Sequence, residues 1–276
     1  MDCAKLYFAS RTAGEARAVL RKKVFLIIPV GNIEDHGPHL PLSTDVLIAE
    51  ELATRLAATL TRKFCARRPT TCAPSNRQVK FLVSPPIAIG NVTSFGKKVG
   101  LSCGEALTDY LREICSRALK TTFSRIIIVN GCGGNDSHIA AVKKHSRKII
   151  YLLRWWHIRD TRRIDSSFRR FLAEGGRTCD WLGTHGGELE TSALLAVDGK
   201  YGTKWVRRSK IAQAKGLCSR SEVTGAKEHG KLPSLTSSGV LGDASRASAR
   251  KGEKLFRIVV RFYAEQITSA IRREKT

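Results

Sequence analysis

The stretch Val24–Asp45, VFLIIPVGNIEDHGPHLPLSTD, decides how the rest of the chain is read. Its opening, VFLIIPVG (24–31), is a short apolar run closed by glycine. Such runs fit strands buried on both faces, as in a parallel sheet covered by helices. The loop that follows, EDHGPHLPLSTD (34–45), crowds two histidines, three acids and two prolines into twelve residues. In α/β folds the ligand site lies beyond the carboxyl ends of the strands, which is where this loop sits.

The same alternation continues outward. ARAVLRKK (16–23) reads as a short basic helix before the strand, and DVLIAEELATRLAATLTRKF (45–64) as a helix after the loop. RRPTTCAPSNR (67–77) carries loop signals. VKFLVSPPIAIGN (79–91) is a second strand, RIIIVNG (125–131) a third and IIYLLRWW (149–156) a fourth. CGEALTDYLREICSRALKTTF (103–123) has Leu107, Leu111, Ile114 and Leu119 at helical spacing, and SHIAAVKKHSRK (137–148) reads as a further helix. Residues 158–180 are Arg-rich and 207–250 polar, both read as loop or short helix; GEKLFRIVVRFYAEQITSAIRR (252–273) is an amphipathic helix. Apolar strands alternating with helices predict an α/β protein, a three-layer α/β/α sandwich with a mostly parallel central sheet. No linker interrupts it, so residues 1–276 are read as one domain.

The longest apolar run, Val24–Val30, is far short of the ~20 residues that a membrane helix needs, and the N-terminal charges precede no signal-peptide pattern. The expectation is a cytoplasmic protein without a membrane partner. Eight cysteines form no CxxC pair, which excludes zinc-ribbon and thioredoxin signatures; Cys65 and Cys72 flank a loop and are placed to bridge in an oxidising cytoplasm. The formal charge is +24, with clusters at 21–23, 143–148 and 159–170. Charge of this sign attracts anionic substrates or nucleic acid. It is scattered, however, and no aromatic residues are interleaved as a stacking platform, so nucleic acid is the less favoured partner.

Three loops carry chemistry. In the first, Glu34, His36 and Asp45 offer an imidazole and two carboxylates, a set suited to zinc, manganese or iron; the plainer reading makes Asp45 the N-cap of the following helix. The second, THGGELETSALLA (184–196), holds His185, Glu188 and Glu190, or alternatively acids in the first turn of a helix. Glu188 and Glu190, two apart, point to different sides. The third, VNGCGGNDSH (129–138), is a Gly-rich turn without the spacing of a dinucleotide fingerprint. Asn130 and Asn135 are expected to hold that turn by backbone hydrogen bonds, and Trp155 and Trp156 to fill core rather than stack on a ligand.

Taken together and in order, PVGNIEDHGPHLPLSTD (29–45), VNGCGGN (129–135), HGGELETS (185–192) and SGVLGDASRASARKGEKL (238–255) resemble the creatininase (creatinine amidohydrolase) family. That family reads E-x-H-G-x-H-L-P-x-x-T-D, N-G-H-G-G-N and H-A-G-E-x-E-T-S, and the likeness runs from about residue 14 to 265. The resemblance implies a metal-dependent hydrolase acting on non-peptide C–N bonds of a small cyclic amide or formamide, with a formylaminopyrimidine nucleotide among the candidates. It implies Glu34, His36, Asp45 and Glu190 as ligands of one or two divalent ions, Asp45 bridging; His185 as proton shuttle; Glu188 as its helper; and His39 as a residue bonded to a ligand. Homo-oligomers are common in the family.

Two departures stand out. Cys132 occupies the position of the family's metal-binding histidine, and a thiolate there favours zinc or ferrous iron over manganese. NVTSFGKKVGLS (91–102) replaces a more apolar loop, so that Lys97 and Lys98 fit an anionic substrate or a solvated loop tip. The alternative to an enzyme is a degenerate, non-catalytic member that binds nucleotide or nucleic acid through its basic surface.

Overall fold

The computed structural model describes residues 6–20, 23–65, 79–92, 99–151, 155, 185–200, 202–216 and 237–273. Its central sheet has four strands, β1 (Lys23–Val30), β3 (Val79–Val83), β5 (Arg125–Asn130) and β6 (Ile149–Tyr151), in the order β3-β1-β5-β6 and parallel throughout. A two-residue antiparallel ribbon of β2 (Ile33–Glu34) and β4 (Gly100–Leu101) stands apart from it. The helices are α1 (Ala13–Leu20), α2 (Thr44–Cys65), α3 (Ala106–Thr121), α4 (Asp136–Lys144), α5 (Glu188–Val197) and α6 (Ala249–Arg273).

Side chains along a strand point alternately to opposite faces, and β1 feeds two cores. Phe25 and Ile27 join Phe81 and Ile127 under α2, α5 and α6, whereas Val24, Leu26, Ile28 and Val30 join Ile126 and Ile128 under α3 and α4. Both faces of β1 are buried, which is why its sequence shows no polar alternation. The three-layer α/β/α prediction holds.

Element ends moved where local chemistry overrode periodicity. α1 starts earlier than expected because Thr12 and Glu15 form a capping box: the Thr12 N–H donates to Glu15 Oε2 at 2.9 Å and the Glu15 N–H to Thr12 Oγ1 at 3.3 Å. β3 stops at Val83, since Pro85 and Pro86 have no N–H to offer the ladder, and only a bridge at Ile87 prolongs it. α4 ends at Lys144 rather than 148, in a turn at His145–Ser146. Trp155 is core, at 2% exposure. The expected loop 67–77, the segment 158–180, Lys97, Lys98, Trp156 and Cys72 lie outside the described residues.

Two glycines place the site. A Cβ on Gly31 would stand 2.5 Å from Val46 N, and one on Gly131 2.3 Å from the Asp45 carbonyl oxygen. Their bare backbones let the first turn of α2 settle on the ends of β1 and β5. Asp45 therefore reaches the mouth of both strands.

Candidate metal centre

Glu34 (β2), His36, Asp45 (α2), Cys132, His185 and Glu190 (α5) meet at the carboxyl ends of β1 and β5, every one of them buried. Donor atoms of Glu34, Asp45 and Cys132 lie within 4.8 Å of one another, and so do those of His36, Asp45 and Glu190. Asp45 belongs to both groups. A third group joins Glu34, His36 and His185. Asp45 stands inside the first turn of α2 and does not cap it. Its Oδ1 lies 3.2 Å from His36 Nε2, and Glu190 Oε2 lies 3.7 Å from the same nitrogen.

Ring orientation follows from backbone carbonyls. A carbonyl oxygen only accepts, so His36 Nδ1 donates to the Glu34 carbonyl at 3.0 Å, which turns Nε2 toward Asp45 and Glu190. By the same reasoning His185 Nε2 donates to the Asp35 carbonyl at 2.6 Å. The two imidazoles stack, with centroids 4.4 Å apart.

The electrostatics report a strongly negative pocket. Burial alone would push His36 down, but Asp45, Glu190 and Glu34 outweigh it and raise its pKa to about 10. Burial and then the Asp45 charge raise Glu34, while burial, Asp45 and Glu34 together hold the Cys132 thiol well above its usual range. Burial and the His36 charge push His185 down to about 3, so its ring stays neutral. Positive charge is drawn to the point where Asp45, Glu190 and Glu34 converge.

The residues fit divalent cations. Glu34 Oε2 and Asp45 Oδ2 are buried and meet no hydrogen-bond donor among the described residues, a costly state for a carboxylate oxygen unless something positive faces it. Carboxylate, imidazole and thiol donors together suit zinc or iron. Cys132 Sγ lies 3.0 Å from Glu34 Oε1.

Three sequence expectations change at this level. Glu188 does not orient His185: its Oε1 pairs with Lys251 of α6, and Lys251 also donates to the Arg246 carbonyl at 2.8 Å. His39 Nε2 bonds Thr191 Oγ1 at 2.7 Å rather than a candidate ligand. The capping reading of 184–196 is half realised, since Glu190 Oε2 accepts the Gly186 N–H at 2.6 Å and also faces His36. Asn130 Oδ1 holds the Cys132 N–H as expected, and Asn135 Oδ1 takes the Asn91 N–H across to the neighbouring loop. Sequence reasoning overlooked Asp35, Thr191 and Lys251. Asp35 alone carried a local signal, its place in the acid-rich loop.

A family model for creatininase, creatinine amidohydrolase, matches residues 9–267. The chain belongs to the creatininase family. With the family goes the activity class, metal-dependent hydrolysis of C–N bonds. Relatives include a mycofactocin precursor peptide peptidase of Mycolicibacterium smegmatis, 28% identical over 257 residues that cover 88% of this chain and 83% of that protein. A 3-dehydro-scyllo-inosose hydrolase of Thermotoga maritima is 28% identical over 197 residues, 70% of this chain and 56% of that one. Among solved structures, a manganese creatininase superposes with a TM-score of 0.73 at 21% identity, covering 96% of this creatininase-family chain and 98% of its own. A zinc–zinc form of a creatininase mutant gives 0.70, also at 21% identity, with the same coverage. At these identities the superpositions establish the fold.

Proposed function

We propose that this chain is a two-cation amidohydrolase of a small cyclic amide or formamide. One observation supports the reading above the rest: a single buried carboxylate, Asp45, is common to two groups of three donors. Glu34, Asp45 and Cys132 would hold one ion, and His36, Asp45 and Glu190 the other; zinc is the ion that a mixed thiolate, imidazole and carboxylate set favours. When bound, such a pair of cations supplies a water acidic enough to attack at neutral pH and polarises the amide carbonyl. His185 handles the proton. Its Nε2 already carries the hydrogen given to Asp35, so an incoming proton goes to Nδ1 and passes from there to the leaving nitrogen. Burial, and after it the His36 charge, keeps that ring neutral. Glu188 acts at one remove, fixing the start of α5 through Lys251 and so the direction of Glu190.

The basic charge favours an anionic substrate, and a phosphorylated formylaminopyrimidine fits both that charge and the reaction. A peptide bond is the second reading, favoured by similarity to the mycofactocin precursor peptide peptidases over most of the chain. We take residues 1–276 as one catalytic domain, acting in the cytoplasm as a homo-oligomer. The test is hydrolysis by protein loaded with zinc, manganese or ferrous iron and offered creatinine, a formylaminopyrimidine nucleotide or a short peptide. Turnover of one substrate class, abolished by Asp45→Asn, is the expected result. Undiminished turnover after exhaustive chelation would contradict the reading.

A further inference from the structure

The metal centre is walled by carboxylates, and one anionic substrate there would answer only a small part of the net charge of +24. Part of that charge converges elsewhere, on a groove of about 790 Å3 between α2 and α6. Arg55, Arg62 and Lys63 enter it from α2, Lys200 from the turn after α5, and Arg257 and Arg261 from α6. The carboxylates lining the groove are Glu51 and Glu253, and both are already engaged. Glu51 is buried between Arg55, whose Nε lies 2.6 Å away, and Lys200. Glu253 takes the Arg55 guanidinium on both oxygens, at 2.6 and 2.7 Å. Arg55 is held flat as well, 4.6 Å above the buried Phe256 ring. It forms a fixed floor. On the rim, Arg62, Lys63 and Arg257 are exposed and form no ion pair among the described residues, and Arg261 has only an exposed partner, Glu265, one turn along its own helix.

Arg62 is roughly 25 Å along α2 from Asp45 at the helical rise, so the groove is no annex of the metal centre. We propose that it is a separate binding surface for the phosphodiester backbone of nucleic acid, read without regard to base sequence. Four of its six cations are arginines, whose planar forks match phosphate oxygens. Its one aromatic residue, Phe256, is 1% exposed beneath Arg55, so no base stacks there and only the backbone is contacted. A second copy seated here about a two-fold axis is the wrong occupant, since it would set this cationic face against itself. A polymer of phosphates meets cations spaced along two helices at once, which one small anion does not. The surface is independent of the hydrolytic reading and stands or falls without it.

The experiment follows the fluorescence anisotropy of a labelled duplex of about 20 base pairs with the full chain at about 50 and about 200 mM KCl. Two triple variants are compared: Arg62→Ala/Lys63→Ala/Arg257→Ala in the groove, and Lys144→Ala/Arg147→Ala/Lys210→Ala away from it. Each removes the same charge, and thermal melts establish that both are folded. The groove variant is expected to bind about tenfold more weakly than the native chain and to lower the slope of log K against log salt by about 2.7, while the control shifts by about twofold or less. Equal losses in both variants would overturn the proposal in favour of a diffuse field. So would displacement of the duplex by polyglutamate as readily as by unlabelled duplex, which would mark a surface for acidic polypeptide. Absence of binding at the lower salt would overturn it outright.

Discussion

Cys132 stands where the resemblance to the family leads one to expect a histidine, and metal chemistry is where that exchange would be felt. A histidine at that position gives a borderline donor; the thiol gives a soft one beside two carboxylates. Cys132→His is therefore expected to move the Glu34/Asp45 position from zinc toward manganese by about tenfold in relative affinity, on the scale at which a single donor tunes metal binding. Competitive loading followed by elemental analysis measures it, and unchanged selectivity would mean that the sulfur points elsewhere. His39 makes a second prediction. Burial first and the His36 charge second depress its pKa to about 4, against about 6.5 unfolded. Above pH 6.5 the ring is neutral in both states. Between 6.5 and 4 the unfolded chain binds a proton that the folded chain refuses, so stability falls with pH by up to about 3 kcal/mol. Denaturant unfolding at several pH values should show that decline, and His39→Gln should flatten it; an equal decline in the variant would assign the acid sensitivity to other groups.

The elements exist to bring far-apart residues to one point. Gly131→Ala would thrust a Cβ against the Asp45 carbonyl and lift α2 off β5. Overpacking of that kind costs about 1–3 kcal/mol, and it should also lower the metal content, because Asp45 serves both donor groups. Wild-type metal stoichiometry in a destabilised Gly131→Ala protein would separate fold from site and count against this role for α2. How much of this was legible in the sequence follows from range. β1, α2 and the E-D-H loop declare themselves, since burial on both strand faces, helical spacing and stiffening prolines are local properties. The Thr12–Glu15 cap was also local, and was overlooked. The Glu188–Lys251 pair, 63 residues apart, and the His185–Asp35 contact, 150 apart, belong to the packing of α5 against α6 and against the first loop. No pattern within either segment announces them. Charge type alone made Glu188 look like a partner for His185, although a lysine one helix away satisfies it better.

At the scale of the whole molecule, two kinds of charge are kept apart. A buried negative centre lies at the strand ends, where Asp45 begins α2, and an exposed positive groove lies toward the other end of the same helix. The fold holds the first by covering both faces of its sheet, so that six titratable side chains sit out of water. Removing the ions that we propose there leaves carboxylates facing one another, and chelation should lower the midpoint of thermal unfolding reversibly. Ligand present at about 100 times its Kd stabilises by about 2.7 kcal/mol, which sets the size of the shift to look for. The most direct test is metal stoichiometry by equilibrium dialysis and elemental analysis on the native chain and two variants. The account predicts two zinc equivalents for the native chain, one for Glu190→Gln and none for Asp45→Asn. A native chain that binds no zinc, or an Asp45→Asn protein that still holds two equivalents, would contradict it.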